Sequence, residues 1–292
     1  MPSRTDARVE EFAPAKINLF LHVGTRRADG YHPLESLVVF VDAGDTLVFE
    51  DADSLSLTID GPFGEGLAGE GDNLVLRAAR ALAAKAGVAK GAAITLTKSL
   101  PVASGIGGGS ADAAAALRGL ARLWKIDITP DAMMPIAATL GSDVPVCVAS
   151  RPSFMEGRGE IVTAVAGVPS VAMLLINPGV AVPTPAVFRT LAERSGTGMA
   201  RPASFGADAR ALAAYLETTR NDLEAPALAI APAIGEVLAA LRAQPGVLLA
   251  RMSGSGATCF GIFESDAAAK VAKRTIKGAR PAWWAQVADV LA

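Results

Sequence analysis

The stretch that most constrains how this chain folds is Leu100-Pro-Val-Ala-Ser-Gly-Ile-Gly-Gly-Gly-Ser-Ala-Asp112, which contains a run of five positions with four glycines. An apolar run before it predicts a strand, and the alanine-rich run of residues 111–123 predicts a helix. Glycine lacks a Cβ atom, so its backbone can come close to a ligand. The start of the helix adds N–H groups without intrahelical partners and the positive end of the helix dipole. This junction therefore predicts a phosphate site. The alternative is a flexible loop in which Ser110 caps the helix.

Two well-known phosphate loops fit the stretch less well. The P-loop pattern ends in Gly-Lys-Ser/Thr, and no lysine follows Gly109. The dinucleotide-binding fingerprint is closer, because Gly105 and Gly107 open it and Asp127 lies at a suitable distance beyond. However, Ser110 occupies the position of its third small residue, and the loop lies far from the first predicted strand. A Rossmann oxidoreductase that binds NAD(H) is therefore the second interpretation.

The composition predicts a globular protein with a large core. The chain has 292 residues, of which 51% are hydrophobic and 19% are charged, and its mean hydropathy is +0.37. This length suits two domains or one large domain. The net charge of −2 gives no reason to expect a nucleic acid or an anionic membrane as a partner. Any anionic ligand must therefore be held by a local site.

The cysteines and the hydropathy of the chain bear on its compartment. Cys147 and Cys259 lie in apolar contexts, which predicts buried free thiols rather than a disulfide or a metal-binding pair. The first residues contain no apolar signal segment, and no stretch approaches the length of a membrane span. We therefore expect a cytoplasmic protein. As a separate expectation, the protein is a monomer or a weak homodimer.

Periodicity predicts a mixture of meandering strands and packed helices. Strands are expected at residues 15–23, 36–41, 46–50, 54–59, 94–96, 145–149, 171–176, 247–252, 258–263 and 285–290. Helices are expected at residues 73–86, 111–123, 129–141, 234–243 and 266–277, and further ones begin near residues 183 and 221. This pattern favours an α+β protein with two domains, and we place the boundary between residues 160 and 161.

Lys16 and Asp143 are the first candidates for chemistry. Lys16 lies in an apolar strand, where an unpaired ammonium group is costly, so it either reaches solvent at the sheet edge or points into a cleft. Asp143, in Gly-Ser-Asp-Val-Pro, is either a turn or capping residue or a general base. A base of this kind needs a nearby cation, such as Lys16, to keep it ionised.

Two predicted turns, at residues 31–32 and 253–256, can also be interpreted either as functional or as purely structural segments. Tyr31 and His32 together offer a stacking face and two ring nitrogens, and the alternative is a tight turn with solvated side chains. The segment of residues 253–256, Ser-Gly-Ser-Gly, resembles an ordinary hairpin turn when taken alone.

Several segments together resemble one enzyme family. Residues 101–111 resemble the phosphate loop of the GHMP kinases, whose members act on galactose, homoserine, mevalonate and phosphomevalonate. Three segments are similar to one branch of this family: Pro14-Ala-Lys16-Ile-Asn18-Leu, Gly30-Tyr-His-Pro-Leu34 and Gly141-Ser-Asp-Val-Pro145. Residues 221–224 and 253–257 match the same branch, so the resemblance extends from about residue 12 to residue 263.

The resemblance implies a fold and an activity. The fold would combine an N-terminal domain like that of ribosomal protein S5 domain 2 with a ferredoxin-like C-terminal domain. ATP would bind on Pro101, Val102, Ala103, Ser104, Gly105, Ile106, Gly107, Gly108, Gly109, Ser110 and Ala111, with Mg²⁺ bridging its phosphates. The acceptor would be a tertiary hydroxyl of a small molecule that carries a cytidine diphosphate group.

The resemblance also implies roles for individual residues. Asp143 would accept or orient the proton of the substrate hydroxyl, and Lys16 would keep Asp143 ionised and stabilise negative charge at the reacting centre. Tyr31 and His32 would receive the cytidine end of the substrate, with Asn18 nearby. Two alternatives stay open: a homoserine or mevalonate kinase, in which the Tyr31-His32 pair has no role, and a non-catalytic nucleotide-binding protein.

One departure from the family lies inside the loop. Many relatives carry glycines where this chain has Ala103 and Ser104. Residues 105–110 are intact, so the departure affects the expected fit around the triphosphate and leaves the expected activity unchanged.

Overall fold

A computed structural model of the protein describes residues 8–28, 30, 32–65, 67, 73–191, 201–202 and 204–291. The strands are β1 (Arg8–Val23), β2 (Leu34–Ala52), β3 (Leu55–Asp60), β4 (Gly91–Thr97), β5 (Ser153–Gly157), β6 (Ile161–Ala164), β7 (Ala172–Asn177), β8 (Val247–Met252), β9 (Cys259–Phe263) and β10 (Trp284–Asp289). The helices are α1 (Leu74–Ala86), α2 (Gly108–Leu123), α3 (Pro130–Leu140), α4 (Val144–Ala149), α5 (Thr184–Arg189), α6 (Ala209–Glu217), α7 (Glu224–Ile230), α8 (Ala233–Arg242) and α9 (Asp266–Ala279). The predicted α+β class is confirmed.

The chain divides into two compact units, and each unit is built from three separate segments of the sequence. The first contains the described residues up to Ala15, then Gly44–Val102 and Gly108–Ser150. The second contains Lys16–Ala43, Ala103–Gly107 and the described residues from Arg151 onward. This division differs from a single boundary at residue 160, because the second unit also takes parts of β1, β2 and the glycine stretch.

In the first unit, β4 lies between β3 and the C-terminal part of β2. β3 runs parallel to β4 and is connected to it through α1, whereas β2 is antiparallel to β4. Helix α1 begins where the Asn73 side chain accepts a hydrogen bond from the N–H of Val75 at 2.9 Å. It ends at Gly87, which adopts the left-handed conformation with φ of 65°.

Helix α2 is buried along most of its length because its residues are small. Every residue from Ala111 to Leu117 is buried. At Gly119 the absence of a side chain admits the ring of Phe49 from β2, since a Cβ atom there would lie 2.2 Å from Phe49 Cε2. Dense packing of this kind fixes the helix along its axis and therefore fixes its N-terminus.

The second unit contains an antiparallel sheet with the order β10-β7-β9-β8. The connections β7-helices-β8-β9-α9-β10 give the β-α-β-β-α-β arrangement of a ferredoxin-like fold. One hydrophobic core underlies the sheet and includes Leu174, Ile176, Phe263 and Ile276. The ferredoxin-like C-terminal part implied by the family resemblance is therefore confirmed. In the same unit, β5 pairs with the N-terminal part of β2 and with β6.

The structure corrects the prediction of two strands at residues 36–41 and 46–50. These residues belong to one continuous strand, β2, and the intervening Gly44 is part of it. A Cβ atom on Gly44 would lie 2.4 Å from the carbonyl oxygen of Ala13. The glycine therefore marks a close approach of β1 and not a turn, as glycines inside strands often do.

The predictions for the cysteines are confirmed, since Cys147 and Cys259 are buried and not disulfide-bonded. Across the part of the chain that the structure describes, no helix has both the length and the apolar character required to span a bilayer.

Candidate active site

The glycine stretch forms a loop that packs on the turn of residues 253–256. Gly105 and Gly107 have φ values of 76° and 67°, which side chains rarely adopt. A Cβ atom on Gly105 would lie 2.6 Å from the carbonyl oxygen of Ser253 and 2.7 Å from that of Gly256. The Ser253 hydroxyl also donates to the Gly105 carbonyl oxygen at 3.0 Å. The 253–256 turn therefore supports this loop, a role beyond that of an ordinary hairpin turn.

Helix α2 begins at Gly108, three residues before the predicted start at residue 111. Ser110 is consequently the third residue of the helix, and the interpretation of Ser110 as its N-cap is wrong. The physical reason is that Gly108 and Gly109 adopt helical geometry here, despite the low helix propensity of glycine. The N–H groups of residues 108–111 form the start of the helix, where no intrahelical acceptor is available.

Ala103 has a backbone conformation that suits glycine better. Its φ is 50°, in the left-handed region, where an L-residue with a Cβ atom is strained by roughly 1–2 kcal/mol. Ala103 is one of the two loop positions at which the family resemblance leads us to expect glycine, and glycine adopts this φ without strain.

Lys16 is buried and oriented by its neighbours in the second unit. It is 3% exposed, and its Nζ donates to Asn18 Oδ1 at 2.9 Å. The Asn18 amide nitrogen donates in turn to the Ser36 hydroxyl at 2.8 Å. The backbone N–H of Lys16 donates to the carbonyl oxygen of Ile106 in the loop, and a Cβ atom on Gly107 would lie 3.1 Å from Lys16 Cε. Lys16 thus lies directly beside the glycine loop and is not a lysine that reaches solvent.

Asn221 holds the 253–256 turn in place. Its amide nitrogen donates to the carbonyl oxygens of Met252 and Gly254, both at 2.8 Å, and its Oδ1 accepts from the N–H of Leu223 at 3.0 Å. Asn221 is 7% exposed, and both polar atoms of its side chain make hydrogen bonds. The segment at residues 221–224 therefore has a structural role in supporting the loop.

Asp143 lies at the start of α4, in the first unit. It occupies the N-cap position but its side chain makes no capping hydrogen bond, so the capping interpretation is not supported. Residues 145–149, predicted as a strand, belong to this short helix, and that prediction is wrong. A short apolar run does not distinguish a buried strand from a buried helix, and Pro145 is well suited to a first helical turn.

His32 lies next to an aromatic residue that the sequence did not identify. Its Nδ1 lies 2.9 Å from the carbonyl oxygen of Gly24 and therefore acts as the donor, which leaves Nε2 as an acceptor in the neutral ring. Its ring centroid is 6.0 Å from that of Phe188 on α5, with 32° between the planes. Tyr31 lies outside the described residues. No local pattern indicates that Phe188 lies beside His32, because a long stretch of chain separates the two residues.

A charge cluster formed by Asp45, Lys98 and Asp112 was also not predicted. Lys98 Nζ lies 2.5 Å from Asp45 Oδ2 and 2.8 Å from Asp112 Oδ2, and each of the three side chains is at most 4% exposed. Burial alone would lower the pKa of Lys98, but the attraction of Asp112 and Asp45 outweighs it and the pKa is raised. The only local indication of this cluster is Asp112, a charged residue within the alanine-rich run that forms α2.

The described residues offer no protein cage for a metal ion, since they contain no group of three histidine, cysteine, aspartate or glutamate side chains. The residues present are therefore compatible with Mg²⁺ when phosphate oxygens and water supply most of its ligands, as is common in phosphoryl transfer.

Two family models match the chain. The model described as GHMP kinases N terminal domain matches residues 73–151, and the one described as GHMP kinases C terminal matches residues 200–279. A protein of Cereibacter sphaeroides named 4-diphosphocytidyl-2-C-methyl-D-erythritol kinase is 55% identical over 94% of this chain and 96% of its own length. A protein of the same name from Paramagnetospirillum magneticum is 50% identical over 96% and 97%, respectively.

Solved structures agree with these matches. A crystal structure of a 4-(cytidine 5'-diphospho)-2C-methyl-D-erythritol kinase has 34% sequence identity and a TM-score of 0.77, and the match covers 97% of this chain and 99% of the other. A homoserine kinase from Cytophaga hutchinsonii has a TM-score of 0.68 at 20% identity, covering 100% and 96% of the two chains. At that identity, only the fold is shared.

Proposed function

The chain belongs to the GHMP kinase family, and from this premise we propose that it phosphorylates the 2-hydroxyl of 4-diphosphocytidyl-2-C-methyl-D-erythritol at the expense of ATP. The reaction belongs to the non-mevalonate route to isoprenoid precursors. The hydroxyl oxygen forms a bond to the γ-phosphorus of ATP while the bond from this phosphorus to the bridging oxygen breaks. ADP leaves with the electron pair of the broken bond, and the hydroxyl proton passes to a base.

The observation that carries this proposal is the contact between Lys16 and the glycine loop. The backbone of residues 106 and 107 touches the buried lysine, so a cation is held beside the segment best suited to phosphate. The N–H groups at the start of α2, which directly follows the loop in the sequence, add a second, backbone source of positive potential. A triphosphate with several negative charges matches this combination better than a neutral ligand does.

In this proposal, residues 101–111 hold ATP, and the phosphates lie against residues 105–110. Gly105 and Gly107 allow the loop to adopt positive φ values. The 253–256 turn packs against Gly105 and so keeps the loop rigid. A rigid loop loses little entropy when ATP binds. This arrangement favours ATP over NAD(H), because Ser110 stands where the dinucleotide fingerprint has its third glycine or alanine.

Asp143 is the proposed general base and Lys16 the proposed electrostatic partner of the reaction. Asp143 lies in the Gly-Ser-Asp-Val-Pro segment that resembles the family branch, and a carboxylate in this position would accept the hydroxyl proton. Lys16 would stabilise the negative charge that develops on the transferred phosphoryl group. Asn18 fixes the direction of Lys16 through the hydrogen bond at 2.9 Å and is also the proposed neighbour of the substrate.

Mg²⁺, bound mainly by the phosphates of ATP, would neutralise part of their charge. The chain's own contribution is to position the phosphates through backbone N–H groups.

The cytidine end of the substrate is assigned to Tyr31, His32 and Phe188. An aromatic ring gives cytosine a flat face to stack on, and Phe188 lies within reach of His32 on the same unit. Nε2 of neutral His32 accepts a hydrogen bond, and the exocyclic amino group of cytosine is a donor. This assignment gives the Tyr31-His32 pair a role that a homoserine or mevalonate kinase would not need.

The test is a turnover assay with a panel of alcohols. The purified protein is incubated with Mg²⁺-ATP and, separately, 4-diphosphocytidyl-2-C-methyl-D-erythritol, homoserine, mevalonate or an erythritol phosphate without the nucleotide. We expect ADP only with the cytidine substrate, together with a new phosphomonoester signal in the ³¹P NMR spectrum. Equal turnover of homoserine or mevalonate would contradict the substrate assignment, and absence of turnover with every alcohol would contradict the kinase proposal.

A further inference from the structure

The entry to the glycine loop is held by Asp45 on β2. One oxygen of its carboxylate, Oδ1, accepts from the N–H groups of Ser99 and Leu100, at 2.6 and 2.9 Å. These residues directly precede Pro101, where the proposed ATP-binding segment begins. Asp45 is completely buried, so this position of the backbone is fixed by hydrogen bonds that water cannot replace.

The exit from the loop is held by Asp112 on α2. Its Oδ2 accepts from Lys98 Nζ at 2.8 Å, and the same ammonium group donates to the other oxygen of the Asp45 carboxylate. Lys98 itself follows the last residue of β4. One ammonium group thus joins the strand before the loop, the loop entry and the first turns of the helix after it, all within the first unit.

The charge cluster also lies close to the first residue of α2. A Cβ atom on Gly108 would lie 3.4 Å from Lys98 Nζ and 3.7 Å from Asp45 Oδ2. The helix N-terminus that is proposed to face the phosphates therefore has this ammonium group beside it, and a displacement of Lys98 would displace the neighbouring backbone.

Stability alone is a poor explanation for the charge cluster. Two carboxylates share one ammonium group, and Asp112 Oδ1 has no hydrogen-bond partner in the described part of the chain. Burial raises the pKa of Asp112 to about 7, against the attraction of Lys98 and with the repulsion of Asp45. Well-packed apolar side chains often stabilise a core at least as well as buried ions do. What apolar side chains do not provide is a directed link between both ends of a loop.

We propose that Asp112 is a positioning residue for ATP: through Lys98 and Asp45 it fixes the distance between the two ends of the phosphate loop before the nucleotide binds. The inference rests on the proposed function, since it assigns this loop to ATP. It predicts that loss of Asp112 affects ATP binding far more than binding of the alcohol substrate or the rate of turnover at saturation.

The test compares variants of Asp112 with a control directly after the last residue of α2. Asp112→Ala removes one of the two carboxylate acceptors of Lys98 and so detaches α2 from it. We expect KM and the calorimetric Kd for ATP to rise about ten-fold, in line with loss of a buried hydrogen bond to a charged group. The kcat and the KM of the cytidine substrate should stay within about two-fold of wild type. Asp112→Asn retains an oxygen for Lys98 and should recover most of the ATP affinity.

The control is Trp124→Phe at the other end of α2, which removes the hydrogen bond from Trp124 Nε1 to the Gly91 carbonyl oxygen. It should lower Tm, as Asp112→Ala does, without changing KM for ATP. If Asp112→Ala does not fold, Asp112→Glu serves instead, because its longer side chain keeps the charge but displaces Lys98, and KM for ATP should rise several-fold.

Two results would overturn the inference: wild-type ATP affinity in the Asp112 variant that folds, or an equal rise of both KM values in that variant. These results are distinguishable from failure of the proposed function, because the latter appears as lack of ADP formation by the wild-type protein itself.

Discussion

Gly107 lies directly against Lys16, and a Cβ atom on Gly107 would lie 3.1 Å from Lys16 Cε and 3.2 Å from Lys16 Cβ. The glycine has a positive φ of 67°, so a side chain there is disfavoured by the backbone as well as by this contact. The position of the Lys16 ammonium group therefore depends on the absence of a side chain at residue 107.

This contact predicts the effect of Gly107→Ala. The new methyl group displaces Lys16, so kcat/KM should fall by at least about ten-fold, which corresponds to roughly 1.4 kcal/mol of transition-state stabilisation. The matched control is Gly87→Ala, because Gly87 has a similar φ of 65° but nothing within 4 Å of the added Cβ atom. Both variants should lose stability through backbone strain, and only Gly107→Ala should lose activity. Equal kinetics in the two variants would contradict the role of this contact.

Ala103→Gly should stabilise the protein. The change relieves the strain of a left-handed alanine, which is roughly 1–2 kcal/mol, and costs about 0.4–1 kcal/mol of additional entropy in the unfolded chain. The expected net gain is about 0–1.6 kcal/mol in the free energy of unfolding, measured by urea denaturation. Lys125→Gly is a parallel case, because Lys125 has a φ of 55°. A loss of stability in Ala103→Gly would show that the alanine is not strained.

The parts of the fold that were predicted correctly have signals in adjacent residues. Residues 73–86, predicted to form a helix, form α1, with Asn73 as its N-cap and Gly87 directly after its last residue. The glycine stretch and the alanine-rich run after it likewise predicted a strand-loop-helix unit.

The parts that were missed depend on contacts between distant residues. The continuity of β2 involves the close approach of Ala13 to Gly44, which the local sequence around Gly44 does not reveal. The charge cluster joins three separate segments through Lys98, and local patterns cannot predict which buried charges will pair. Phe188 was missed for the same reason.

The proposed catalytic pair is tested by single and double variants. Asp143→Asn removes the carboxylate with little change of shape, and loss of a general base typically lowers the rate by roughly 10²- to 10⁴-fold. Residues that act as one unit are not additive, so adding Lys16→Ala should make the double variant little worse than the poorer single variant. Asp131→Asn, an exposed carboxylate in the first turn of α3, is the control and should retain activity. Full activity of Asp143→Asn would remove Asp143 from the mechanism.

The cytidine site is tested by the KM of each substrate. Stacking of a base on an aromatic ring is worth about 1–3 kcal/mol, so Tyr31→Ala and Phe188→Ala should each raise KM for the cytidine substrate by roughly five- to 150-fold. His32→Ala should also raise it, through loss of a hydrogen-bond acceptor. KM for ATP should change little in all three variants. Phe12→Ala, which truncates a 40% exposed ring in the first unit, is the control. A rise of KM for ATP instead would contradict the assignment of this site.

Asp112 gives the stability of the fold a pH dependence of known sign. Burial raises the pKa of its carboxyl group from 3.8 to about 7, so the folded protein keeps a proton that the unfolded chain releases between these values. The contribution of Asp112 to the free energy of unfolding therefore falls as the pH rises from about 4 to about 7. Asp112→Asn has no such proton, so the Tm of the wild type minus that of Asp112→Asn should decrease across this range in a calorimetric series. A Tm difference that increases with pH would show that the Asp112 carboxylate is better stabilised in the fold than in water.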